Sequence, residues 1–271
     1  MALEITLRQA GTIPIEVEGI TPDKCRALPL GEIERLPVFH GNRELAFAEL
    51  FTVRGSADDR CHCWQGELSS VHWLGAKMQA GQLIVEGSAG RHLGSEMSGG
   101  EIEVRGSVSD WVGAEMRGGT LRVAGDAGHL VGAAYRGSPR GMRGGSIIVQ
   151  GNAGDEVGHS LRRGTIAIGG ACGDFVGYHM LAGTIAVLGP SGQRHGANMR
   201  RGSLIFLHEH APRRLPTFQR ACHFQPLAIQ LVLQELGRLG LKLHREHYCR
   251  SLDLYNGDFL SGGRGEMFVV A

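Results

Sequence analysis

Between residues 75 and 207 the chain alternates short apolar pairs with glycines at a fixed interval. Gly75, Gly94, Gly113 and Gly132 stand 19 residues apart, and Gly158, Gly177 and Gly196 resume that spacing after one interval of 26. Six residues after each comes a second glycine (Gly81, Gly100, Gly119, Gly164, Gly183, Gly202), with Gly145 displaced by the longer interval. Two and four residues after the second glycine stand apolar pairs, from Leu83/Val85 and Ile102/Val104 through to Leu204/Phe206. Three residues before it is Met78, Met97, Met116, Met142, Leu161, Met180 or Met199. Just before each first glycine is another apolar residue, such as Leu93 or Val131, and four residues earlier a small one, such as Ala127 or Cys172.

An apolar pair separated by one residue is a short strand with a single buried face. The flanking glycines supply the positive φ that sharp corners need. One such unit offers about five inward side chains and cannot bury them alone, whereas stacked units hydrogen-bond to their neighbours around a shared core. Glycine every six residues excludes helical repeats, because each would cost about 1 kcal/mol. A leucine-rich repeat would need a longer, leucine-dominated consensus. The expected fold is therefore an all-β solenoid, a right-handed parallel β-helix of about seven 19-residue coils, on the order of 33 Å long.

The flanks divide the chain into 1–70, N-terminal strands and cap; 71–207, the glycine-rich β-helix; and 208–271, a C-terminal helix and strand cap. Leu3–Leu7 and Ile13–Val17 alternate like strands, and Phe51, Val53 and Gly55 imitate a coil's strand. "FQPLAIQLVLQELGRLG" reads as a helix with Pro226 in its first turn and Gly237 as its stop. Its apolar residues surround most of its circumference, so it either caps the solenoid's open end in a well-buried site or turns its far side to another subunit. The loop 133–142 absorbs the seven residues that interrupt the register.

Composition narrows the functional classes. A formal charge of +1 gives no global case for nucleic acid or a membrane surface as partner. No apolar run approaches the roughly 20 residues that span a bilayer. Six cysteines without a C-x-x-C pair point to a reduced, cytoplasmic setting. Thirteen histidines invite a metal hypothesis, but His92, His129, His159, His179 and His195 occupy five different positions in the repeat. "CHCW", "HEH" and "HREHYC" lack recognised ligand spacing. "GGACGDFVG" is explained by the repeat and lacks the βαβ context of a nucleotide fingerprint. No nucleophile elbow is present, and the carboxylates are scattered. We therefore expect no catalytic, cofactor-binding or metal-binding residue on this chain. One feature does stack: Arg117, Arg143, Arg162, Arg163, Arg200 and Arg201 precede the second glycine of several repeats. They would form a basic stripe, either a solvated edge or a docking face for an acidic partner or an anionic carrier.

The coil, as in "GAEMRGGTLRVAGDAGHLVG" and "GYHMLAGTIAVLGPSGQRHG", resembles a repeat shared by the C-terminal domain of the glutamate synthase large subunit and by the C subunit of formylmethanofuran dehydrogenase. The coils alone do not separate the two. The free-standing length, the entry "GELSSVHWLGAKM" and the closing "NGDFLSGGRGEMF" resemble the dehydrogenase C subunit, and most nearly its bacterial version in the formyltransferase/hydrolase complex of methylotrophs. That resemblance implies a non-catalytic scaffolding role. The complex would transfer a formyl group from formyl-tetrahydromethanopterin to a methanofuran-type carrier and hydrolyse it to formate. It implies amidohydrolase-type and formyltransferase-type sister subunits, with the metal held by one of them. The alternatives are the C subunit of a tungsten or molybdenum formylmethanofuran dehydrogenase and a domain of glutamate synthase type. A stand-alone carbohydrate-active β-helix enzyme would need an acidic cluster where the stacked columns carry arginine.

Overall fold

The structure is a computed structural model and describes residues 2–271. Its repeats contribute β8 (Gln82–Val85), β9 (Glu101–Val104), β10 (Thr120–Val123), β11 (Arg143–Val149), β12 (Arg163–Ile168), β13 (Thr184–Val187) and β14 (Arg201–Phe206). Before them in the chain lie β1 (Leu3–Leu7), β2 (Ile15–Glu16), β3 (Pro37–His40), β4 (Arg43–Ala46), β5 (Phe51–Arg54), β6 (Cys61–Gln65) and β7 (Val71–His72), with helical turns α1 (Pro22–Cys25), α2 (Leu30–Ile33) and α3 (Phe47–Leu50). After them come β15 (Gln219–Phe224), α4 (Leu227–Arg238), α5 (Arg245–Cys249), β16 (Leu252–Gly257) and β17 (Arg264–Val270).

Strands β8 to β14 pair in parallel, each with its equivalent one repeat on, so that Leu83, Ile102, Leu121, Ile147, Ile166, Ile185 and Leu204 form one column. Val85 to Phe206 form the next. A separate ladder of parallel bridges links Leu68, Ala89, Val108, Ala127, Ala153, Cys172 and Ser191. Successive repeats thus meet in register on both sides of their corners. The inward columns are almost wholly excluded from water, and Cys172, at 6% exposure, occupies the column of small residues as expected. The coupling of methionine to glycine has a direct cause. At Gly119 (φ +88°) a Cβ would lie 2.6 Å from Cε of Met97, which reaches under the corner from the preceding repeat, and 2.7 Å from the Gly100 carbonyl.

The 133–142 loop returns Tyr135 to the repeats while its tip, Arg136, Gly137, Pro139 and Arg140, stays exposed. Tyr135 lies across a column formed two residues before the first glycines, Trp73, His92 and Trp111. His92 stacks on Trp73 at 4.2 Å between ring centroids, and Tyr135 stacks on Trp111 at 5.0 Å. The Tyr135 hydroxyl donates to Ser95 Oγ (2.8 Å) and is joined to Nδ1 of His92 (3.0 Å). Trp73, His92 and Trp111 all hold positive φ (+64°, +63°, +67°), a left-handed conformation that disfavours bulky side chains by about 1–2 kcal/mol each. Ring stacking offsets part of that cost.

At the N-terminal end the segment that continues the repeat is β6, not β5. His62 lies opposite Leu83 and Trp64 opposite Val85, whereas Phe51–Arg54 runs antiparallel to β1 at the sheet's edge. The expectation placed on Phe51, Val53 and Gly55 fails because β1 intervenes, parallel to β6. Phe47, Phe51 and Trp64 pack ring against ring and plug this end. A small sheet, β4-β3-β2-β7, lies beside it.

The C-terminal end is closed by strands. β17 adds to β14 in parallel, placing Met267 and Val269 in the inward columns. β16 and β15 follow antiparallel, and Phe218 fills the space beneath them. The helix α4 does not cap this end. Its Ile229, Leu233 and Leu236 pack against Ile148, Ala167, Ala186 and Ile205, the outward residues of β11 to β14. The reason is visible in the outward position itself, charged in β9 and β10 (Glu103, Arg122) and apolar in the four strands that follow. The opposite side of α4 is open: Leu227 is 74% and Leu231 66% exposed. Among the described residues no helix is long and apolar enough to cross a membrane.

Candidate functional site

The corner before the second glycine carries the predicted arginines. Hydrogen bonds such as Arg117 N–H to the Met97 carbonyl (2.7 Å) and Arg200 N–H to the Met180 carbonyl (2.8 Å) hold that corner at the same height in every repeat. The structure divides the six residues. Arg162, Arg200 and Arg201 line a cleft of about 450 Å³ together with Leu181, Ser261, Gly262 and Arg264. Arg163 lies beside the cleft, in register with Arg143, which is half-buried. Arg117 is drawn away into an ion pair with Glu96 (3.1 Å). Among the described residues, Arg143, Arg162, Arg163, Arg200, Arg201 and Arg264 have no carboxylate partner.

The stripe of six misses Arg264, which lies 63 positions after Arg201. The two are direct partners once β17 pairs with β14. A signal exists: "GRGEMFVV" repeats the glycine and alternating apolar residues of "RRGSLIF". Leu181 and Ala182 interrupt the stripe between Arg162/Arg163 and Arg200/Arg201, and Leu181 lines the cleft.

Leu181 and Arg200 also line a second cavity of about 460 Å³, with Ser138 and Pro139 of the inserted loop on one side and His159, Tyr178, His179 and Asn198 on the other. The rings of His159 and Tyr178 lie 5.1 Å apart, and those of Tyr178 and His179 4.2 Å apart, edge to face. Asn198 Nδ2 sits 3.0 Å from Nδ1 of His179. Burial first, then the neighbouring His159 and Arg200, holds the His179 pKa below the ordinary histidine value. Position-by-position comparison keeps these rings apart, because His159 and His179 stand one and two residues after their first glycines. Side chains from adjacent positions of successive rungs nevertheless converge. The two cavities, which share Leu181 and Arg200 in their linings, offer arginine forks, amide and hydroxyl donors and flat rings, a set suited to binding carboxylates by charge-assisted hydrogen bonds.

The other dense motifs separate or are occupied. In "CHCW", His62 faces the core while Cys61 and Cys63 face outward. In "HREHYC", Nδ1 of His247 accepts from the His244 N–H (3.0 Å). His208, Glu209 and His210 do bring three donor atoms within 4.8 Å of one another. Nδ1 of His208 accepts from the His210 N–H (3.2 Å), and Nδ1 of His210 lies 3.6 Å from Glu209, so the group is tied together on an exposed turn.

Comparison with known proteins adds four findings. A family model described as the GXGXG motif matches residues 68–254. The chain is 44% identical over 79 residues to the C subunit of a molybdenum-containing formylmethanofuran dehydrogenase from Methanothermobacter marburgensis, a match covering 29% of this chain and 20% of that protein. It is 35% identical over 91 residues to the C subunit of a tungsten-containing formylmethanofuran dehydrogenase from Methanococcus maripaludis, covering 33% of this chain and 34% of that one. These matches span only a fifth to a third of the curated relatives' length. A chain in the crystal structure of the formyltransferase/hydrolase complex (FhcABCD) from Methylorubrum extorquens, determined with methylofuran, superposes with a TM-score of 0.88 at 31% identity over 99% of both chains.

Proposed function

We propose that this chain, a member of the GXGXG-motif family, is the C subunit of a formyltransferase/hydrolase complex, in keeping with its similarity to the C subunits of formylmethanofuran dehydrogenases and to a chain of the formyltransferase/hydrolase complex. In this reading the repeats wind as a right-handed parallel β-helix of about seven coils, a stiff scaffold for amidohydrolase-type and formyltransferase-type sister subunits. Those subunits move a formyl group from formyl-tetrahydromethanopterin to a methanofuran-type carrier and hydrolyse it to formate, with the metal outside this chain. The observation that carries the reading is the superposition over 99% of both chains, which includes the flanks as well as the repeats. The cleft of Arg162, Arg200, Arg201 and Arg264 serves as the docking surface for an acidic carrier or an acidic face of a sister subunit, with Arg163 at its margin. Arg117 and Arg143 take a lesser part, the first being neutralised by Glu96.

The test is purification of the tagged chain from its native source, followed by a formate-release assay with formylated carrier on the chain alone and on the assembly. Activity is expected only in the assembly; formate release by the lone chain refutes the scaffold role. Charge reversal at Arg162, Arg163, Arg200 and Arg201 is expected to weaken carrier binding or assembly by about tenfold or more. Unchanged values for both remove the docking role and leave a solvated edge.

A further inference from the structure

Beyond the last regular corner the chain returns to lie along the repeats. Gln193 forms a parallel bridge with Arg213, which brings the segment 213–216 beside the rung that leads into Arg194. Gln193 is itself fixed by the preceding rung: its N–H donates to Asp174 Oδ1 (2.9 Å), and its carbonyl accepts from the Phe175 N–H (2.9 Å). Gln193, Arg194, Arg213, Arg214, Leu215 and Pro216 line a cavity of about 240 Å³. It shares no lining residue with the cleft of Arg162, Arg200, Arg201 and Arg264.

Among the described residues, none of the three guanidiniums in this lining has a carboxylate partner. Two of them are held by flat rings instead. Arg194 lies over Phe175, its counterpart one repeat earlier (5.5 Å), and Arg214 over Tyr255 of β16 (4.5 Å). A ring face positions a guanidinium without using up its N–H donors. Like charges gathered in one cavity repel, and an anion that accepts from all three relieves the repulsion. A carboxylate offers two oxygens and a single charge. A phosphate group carries a charge of about −2 and three acceptor oxygens, one for each guanidinium. The cavity is smaller than the roughly 300–1,000 Å³ of sites for drug-sized ligands, so it suits a compact head group. Gln193 adds an amide donor, and Leu215 and Pro216 an apolar wall.

We propose that Gln193, Arg194, Arg213 and Arg214 form a binding site for a phosphate group, either the free ion or a small monoester whose organic part lies on Leu215 and Pro216. This site does not depend on the subunit reading above.

The experiment is isothermal titration calorimetry of the full chain with inorganic phosphate, phenyl phosphate and succinate, in about 0.15 M sodium chloride. Wild type is expected to bind one phosphate per chain with a Kd below about 1 mM, and succinate about tenfold more weakly or worse. Tighter binding of phenyl phosphate assigns the site to a monoester; equal or tighter binding of the inorganic ion assigns it to free phosphate. All three arginines are exposed, so Arg194→Gln/Arg214→Gln is expected to keep the melting temperature while weakening phosphate binding about tenfold or more. Should that variant fail to fold, Arg213→Gln carries the same expectation. Arg200→Gln/Arg201→Gln, in the other cleft, is expected to leave phosphate affinity unchanged. The proposal is overturned by any of four results: no phosphate binding to wild type, equal affinity for succinate, unchanged affinity in the first variant, or lost affinity in the control. Each of these leaves the subunit reading standing, because formate release and assembly are measured separately.

Discussion

Replacing His62 by leucine is expected to stabilise the protein, and more so in mild acid. His62 stands in the inward column that every later repeat fills with leucine or isoleucine, fully buried, with neither ring nitrogen hydrogen-bonded among the described residues. Burial is the first cause that lowers its pKa from 6.5 to about 4, opposed by Asp23 and Asp59. A histidine depressed in the folded state is neutral there, while the unfolded chain takes up a proton as pH falls below 6.5. Its contribution is therefore whole above pH 6.5, declines through the window from 6.5 to 4, and is fully lost below 4. At pH 5 the loss comes to about 2 kcal/mol. Removing the unpaired ring nitrogens adds about 1–3 kcal/mol at any pH, less a shape penalty of about 1 kcal/mol. Urea unfolding of wild type and His62→Leu at pH 7.5 and pH 5.0, followed by circular dichroism, gives the difference. Other buried histidines, such as His195, titrate in both proteins and cancel. A stability gap that does not widen on acidification refutes the argument.

Two further outcomes follow from the packing. Tyr135→Phe deprives His92 of its hydroxyl partner beneath the inserted loop, at a cost of about 1–2 kcal/mol, and calorimetry should find the melting temperature lower by about 2–6 °C. An unchanged value would mean that the loop is not tied to the repeats through this group. Alkylation of the native chain at pH 8 should modify the exposed Cys222 and Cys249 and spare Cys25 and Cys172, whose thiols burial pushes up to about 11 and about 12. Labelling of Cys172 at the rate of Cys222, read by peptide mass spectrometry, would remove it from the ladder of small residues.

The repeat was legible in the sequence because each rung makes the same demands as the last. Glycine at a corner, methionine beneath the next corner and an apolar pair on one face recur wherever the chain passes the same point, so columns such as Leu83 to Leu204 could be read without coordinates. The arginine stripe was legible for the same reason. Periodicity says nothing about groups that meet across different positions or from outside the repeat. His159 and His179, Tyr135 over Trp111, and Arg264 beside Arg201 come together only when the chain is stacked. The site of α4 was likewise decided in three dimensions: its own sequence shows an apolar surface, but the outward Ile148, Ala167, Ala186 and Ile205 determine where that surface is buried. Local pattern determined the rung, because hydrogen bonding and burial repeat identically within it. Tertiary structure alone decided which of six arginines share a cleft, because charge acts through space and not along the chain.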